Sequence, residues 1–188
     1  MRSVILGLIV LLLAVPSGAQ SPRDLESWFP MLREGMWIKV EGPMHEAGLH
    51  ADEVKIYAGE LDESELASTV VGVDVTRMRL QTEFGVTVQS NDRTDLQGPK
   101  GQKHIGFPFL SVGDRIEIEG QWQKDGFFLA EEIEIEDSKR LDPQLQHENE
   151  HEVTARIESI DAANHSVLLL GVRVYFSQQT RNKSLLLY

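Results

Sequence analysis

The chain has no cysteine among its 188 residues. Disulfide bonds are therefore excluded, and so is a lipid carried on a cysteine. A domain of this length must be held by its own apolar core. Aromatic residues are scarce, at 7% of the chain. Basic residues are outnumbered: 18 Lys and Arg stand against 30 Asp and Glu, a formal net charge of −12. No basic patch interrupts that background, so a phosphate backbone would be repelled and nucleic-acid binding is disfavoured. Cationic partners, or solubility alone, remain as readings of the charge. Long hydrophobic runs are missing after the first twenty residues, and helical periodicity is weak there too.

What is present begins with an address. Met1-Arg2-Ser3 carries one positive charge, Val4–Val15 is apolar apart from Gly7, and Pro16-Ser17-Gly18-Ala19 supplies small residues. That is the pattern of a secretory signal peptide over 1–19, with cleavage expected after Ala19. The apolar run is too short to cross a bilayer core of roughly 30 Å as a helix. The expected location is outside the cytoplasm, in a bacterial periplasm, with no membrane insertion after cleavage.

After a polar lead-in over 20–34, period two dominates. Asp114-Arg115-Ile116-Glu117-Ile118-Glu119 and Glu132-Ile133-Glu134-Ile135-Glu136 alternate charge with β-branched residues. Such alternation describes strands with one buried and one wet face. Glycines at 42, 48, 120 and 126 mark turns. The expected class is all-β, with short antiparallel strands arranged as a barrel or sandwich and little helix outside the signal peptide.

Two modules occur twice. A hairpin module runs from Gly35-Met36-Trp37-Ile38-Lys39-Val40-Glu41-Gly42 to Val54-Lys55-Ile56, and again from Gly113-Asp114-Arg115-Ile116-Glu117-Ile118-Glu119-Gly120 to Ile133-Glu134-Ile135. A second module contains Phe84-Gly85-Val86-Thr87-Val88 and, later, Leu170-Gly171-Val172-Arg173-Val174. Their order leaves one continuous unit at 66–138, an orphan hairpin half-module at 35–60, a charged linker at 139–150, and a second orphan half-module at 150–188. Each orphan has half a core and an open sheet edge. They are expected to complete each other. The competing idea is a shortened array, since no closing hairpin follows the apolar ending Leu185-Leu186-Leu187-Tyr188.

Val112-Gly113-Asp114-Arg115-Ile116-Glu117-Ile118-Glu119-Gly120, followed by Leu129-Ala130-Glu131-Glu132-Ile133, resembles the repeat of a bacterial secreted domain-of-unknown-function family. Ser159-Ile160-Asp161-Ala162-Ala163-Asn164, leading into Leu170-Gly171-Val172, is similar to the opening half of that repeat. The resemblance implies tandem, small OB-like β-barrels and brings no catalytic residues with it. The segment 91–109 and the missing last hairpin depart from the family pattern.

Candidate chemistry is sparse. His147-Glu148-Asn149-Glu150-His151 spells the H-E-x-x-H string of zinc proteases. There it needs a core-anchored helix, a third ligand and a cleft. Here only Leu145 is apolar nearby, so a solvated linker is the expected reading. Adventitious divalent metal binding through His147, Glu148 and His151 ranks behind it, and a zinc-dependent hydrolase last. No cofactor is expected. His45, Glu46 and His50 at the first hairpin turn could hold a metal only weakly. There is no G-x-S-x-G serine and no phosphate-binding glycine loop. Phe107 and Phe109, in a proline-bearing loop, read first as packing across a barrel end and second as a partner patch. Trp37 and Trp122 flank the two hairpins at non-equivalent positions and join Phe107 and Phe109 as candidate binding residues. The expected function is non-enzymatic binding or scaffolding, with a protein, glycan or cation as ligand. A purely structural role is the alternative.

Overall fold

The computed structural model describes residues 24–99, 102–138 and 150–184. The expected leader at 1–19 lies outside the described residues, as does the expected linker apart from residue 150. Fourteen strands are found among the described residues: β1 (Trp37–His45), β2 (Gly48–His50), β3 (Glu53–Ile56), β4 (Ser64–Asp74), β5 (Arg79–Thr82), β6 (Thr87–Gln89), β7 (Asp95–Gln97), β8 (Asp114–Trp122), β9 (Phe128–Ser138), β10 (Glu150–Arg156), β11 (Ser159–Asp161), β12 (Ser166–Leu169), β13 (Val172–Tyr175) and β14 (Arg181–Asn182). The class is all-β. One short helix, α1 (Leu25–Trp28), precedes them. The alternation seen in sequence sets the faces. In β8, Ile116 and Ile118 have no exposed surface, while the alternating Arg115 and Glu117 are partly wet.

The strand pairings close on themselves twice. In the first circuit β4 pairs with β5, β5 with β6, β6 with β9, β9 with β8, and β8 returns to β4. All these pairings are antiparallel except β6 with β9. The second circuit uses both flanks of the described chain. β11, which continues β10, pairs with β12, β12 with β13, β13 with β2, β2 with β1, and β1 with β10. Again one pairing is parallel, β13 with β2. The β1–β10 ladder runs from Trp37 opposite Arg156 to Pro43 opposite Glu150. The hairpin at 35–57 and the segment at 150–180 therefore lie against each other. β4 and β10 pair in turn and join the circuits into one sheet.

Matching contacts recur in the two circuits. The Gly113 N–H donates to the Val70 carbonyl at 2.8 Å, and the Gly35 N–H to the Ile157 carbonyl at 2.8 Å. Thr94 Oγ1 donates to the Ala130 carbonyl at 2.8 Å, and Thr180 Oγ1 to the Ala51 carbonyl at 2.7 Å. Phe107-Pro108-Phe109 forms a 3-10 turn closed by the Leu110 N–H on the Phe107 carbonyl; Phe29-Pro30-Met31 forms another, closed by Leu32 on Phe29.

The second of these turns corrects the reading of 20–34 as a polar lead-in. Leu25, Trp28, Phe29 and Leu32 are buried in the core. Trp28 meets Phe176 edge-on at 5.3 Å between ring centroids. The physical reason is that α1 and its 3-10 turn cover an apolar end of the second circuit, as Phe107 and Leu110 do for the first. No helix of the described residues is long and apolar enough to cross a membrane.

Candidate functional site

A cleft of about 320 Å³ opens where the two circuits meet. Trp37, the first residue of β1, comes from the second circuit, and Trp122, the last residue of β8, from the first. Trp37 is buried, with one wall of the cleft formed by its ring; Trp122 is partly exposed. Arg156 stands opposite Trp37 in the β1–β10 ladder, so both side chains share a face of the sheet. Its guanidinium carbon lies 5.2 Å from the Trp37 ring centroid, a cation–π distance. Arg156 also pairs with Glu60. Leu61 and the buried Leu170 add apolar lining, and Asp62, Gln121 and Glu158 bring polar groups.

Two glycines shape this cleft. A Cβ on Gly120 would run into the Leu129 carbonyl oxygen, so β8 and β9 can cross there only without a side chain. Gly171 has φ +73°, and a Cβ there would lie 3.5 Å from the Trp122 ring. Its N–H donates to Glu158 Oε1 at 3.1 Å, which fixes that carboxylate beside the cleft.

The outer face of the joined sheet is acidic. Across the ladders Glu41 stands opposite Glu152 and Glu117 opposite Glu134, while Glu65, Glu119 and Glu132 form a second row. Burial raises the Glu117, Glu119 and Glu152 carboxyls above the ordinary range, and neighbouring carboxylates push the same way. Lys39 relieves one end, with Nζ 2.6 Å from Glu152 and 3.7 Å from Glu41. Among the described residues no group of three or more His, Cys, Asp or Glu is arranged to hold a metal ion.

Of the expected site residues, Trp37 and Trp122 come together; Phe107 and Phe109 lie elsewhere. Phe107 is buried and Phe109 packs against the core. This corrects the idea of an exposed aromatic patch at that loop: the 3-10 turn points the rings inward. His147 and Glu148 lie outside the described residues. His151 corrects the expectation of a solvated string. It is 2% exposed, on β10, in phase with buried Val153 and Ala155. Its Nδ1 lies 3.3 Å from Ser68 Oγ, its Nε2 3.5 Å from Glu83, and its ring meets Phe84 edge-on at 5.1 Å. Burial lowers its pKa, with Glu83 pulling upward and Arg115 adding to the depression. The ring of His45 lies 4.5 Å from that of His50.

Residues 69–134 match the model of a family described as a domain of unknown function (DUF5666). The match begins inside β4 and ends inside β9, so it covers most of the first circuit and none of the second. No curated protein matches the chain, and no solved structure does.

Sequence reasoning missed Arg156, Glu158, Asp62 and Leu170. They lie on segments far from either tryptophan in the chain. A signal existed for the missed core turn, since Phe29-Pro30-x-Leu32 repeats as Phe107-Pro108-x-Leu110 ahead of each hairpin.

Proposed function

We propose that this is an exported, non-enzymatic binding protein built from two OB-like barrels, with the cleft between them as ligand seat. Export rests on the leader pattern over 1–19. The OB-like reading is supported by the pairing order within each circuit, first–second–third–fifth–fourth–first, with the third and fifth strands parallel. A five-stranded Greek-key barrel of this kind presents a sheet face and loops that commonly carry ligand contacts. One barrel is continuous in the chain. The other is permuted, its last two strands coming first.

The observation that carries the binding role is the meeting of Trp37 and Trp122 from different barrels in one cleft. A partly exposed Trp122 ring beside the buried Trp37, next to an arginine and two carboxylates, suits recognition more than core packing. The charged groups lining the cleft are Asp62, Arg156 and Glu158, and no side chain of its lining hydrogen-bonds the Ser64 hydroxyl among the described residues. The test is a thermal-shift screen of the full chain against a chemically mixed small-molecule collection, run beside Trp122→Ala. A ligand at about 100 times its Kd stabilises by roughly 2.7 kcal/mol. The expected result is stabilisation of the wild type that the variant loses. Stabilisation of both proteins alike, or of neither, contradicts the proposal.

A further inference from the structure

We infer that the ligand of the Trp37–Trp122 cleft is a neutral carbohydrate, one to two sugar rings in size; this rests on the cleft being the ligand seat. The volume, about 320 Å³, is at the low end of small-molecule sites, which run roughly 300–1,000 Å³. That size admits a sugar unit or a single inserted side chain.

The chemistry of the lining then separates the classes. A sugar ring presents an apolar C–H face and a rim of hydroxyls. The partly exposed Trp122 ring and Leu61 match the face, while Asp62, Gln121 and Glu158 match the rim. Hydroxyls donate and accept, so one ligand can satisfy the carboxylates, the amide and Arg156 together. A cation is a poorer match. The Arg156 guanidinium already lies over the Trp37 ring and is held there by Glu60. An anion is poorer still, because Asp62 and Glu158 line the cleft and Glu60 already engages Arg156, on a chain of net charge −12.

The experiment uses the ¹⁵N-labelled full chain, whose three tryptophans give three indole N–H signals. The Trp122 signal is assigned by its loss in Trp122→Phe. The protein is titrated separately with neutral trisaccharides of glucose and of N-acetylglucosamine, with a triuronate, with choline, and with a tripeptide. A saturable shift of the Trp122 signal by a neutral sugar is expected. Affinity should fall on the order of tenfold in Trp122→Ala, the scale of one lost stacking ring. Trp122→Phe should recover most of it. Asp62→Ala, at an exposed position that leaves the core intact, should weaken binding several-fold. Choline, the triuronate or the tripeptide shifting Trp122 while neutral sugars do not would overturn the carbohydrate assignment and leave the seat standing. No shift from any probe would overturn the assignment too, and the thermal-shift screen then decides separately whether the seat survives.

Discussion

Replacing Gly42 by alanine should destabilise the second circuit at its first hairpin. Gly42 stands in β1 opposite His151 of β10, and the returning chain crosses it on the other side. A Cβ at that position would overlap the His50 carbonyl oxygen and lie 2.9 Å from the Asp52 nitrogen and 3.0 Å from the His50 carbonyl carbon. All three atoms are backbone, so no side chain can swing away. Comfortable carbon contacts are about 3.5–4.0 Å, so the two strands must separate by roughly 1 Å or more. Separation strains the Asp52 N–H bond to the Glu41 carbonyl, now 2.9 Å, whose loss costs about 1 kcal/mol. Overpacking adds about 1–3 kcal/mol. The expected loss is therefore about 2–4 kcal/mol, measured by urea unfolding followed by tryptophan fluorescence. Gly59→Ala is the control, because a Cβ there meets nothing within 4 Å. A Gly42→Ala protein within about 0.5 kcal/mol of wild type would refute the close crossing.

Two titrations have opposite signs and are separable by mutation. The pKa of His151 is held below its ordinary value, so the unfolded chain binds its proton more tightly. Its contribution is present above the unfolded value of about 6.5 and is lost as pH falls through that value toward the folded one. Denaturant melts at pH 7.5 and 5.5 should show wild type losing more stability than His151→Gln over that interval; equal losses would contradict the assignment. Glu117 behaves in reverse. Its raised pKa means that ionisation is disfavoured in the folded state, so its contribution declines as pH rises through the carboxylate range. Glu117→Gln removes a like charge directly opposite Glu134 and should stabilise by about 0.5 kcal/mol at pH 7, with no gain near pH 3. A destabilised variant at pH 7 would count against mutual repulsion on that face.

The strands of both hairpins were legible because period-two alternation and turn glycines are local signals. Ile116, Ile118, Ile133 and Ile135 alternate with glutamates, and all four are buried. The core role of Leu25, Trp28, Phe29 and Leu32 was not legible, because two short turns carry too few residues for a period to show. His151 reads in sequence as part of a solvated linker because only Leu145 is apolar near it; its phase with Val153 and Ala155 marks it as inward-facing. The cleft was least legible of all. Trp37 and Trp122 were visible as candidates, but their proximity depends on two circuits meeting across β4 and β10, a long-range pairing that no local pattern encodes. Arg156, which covers Trp37, is separated from it by more than a hundred residues and reaches it only through the β1–β10 ladder.

That ladder underlies the second circuit, the cleft and the proposed ligand seat, and one cross-link tests it. Glu41 and Glu152 are direct partners on the wet face of β1 and β10. Opposed residues of an antiparallel pair lie about 4.5–5.5 Å apart at Cα, within the range a disulfide spans. The chain has no cysteine of its own, so a Glu41→Cys, Glu152→Cys pair has no competitor. Mild oxidation of the full chain, read by non-reducing gel mobility and thiol titration, should give a monomer with both thiols consumed. Free thiols, or cross-linking only between molecules, would mean that the two flanks of the chain do not close a circuit.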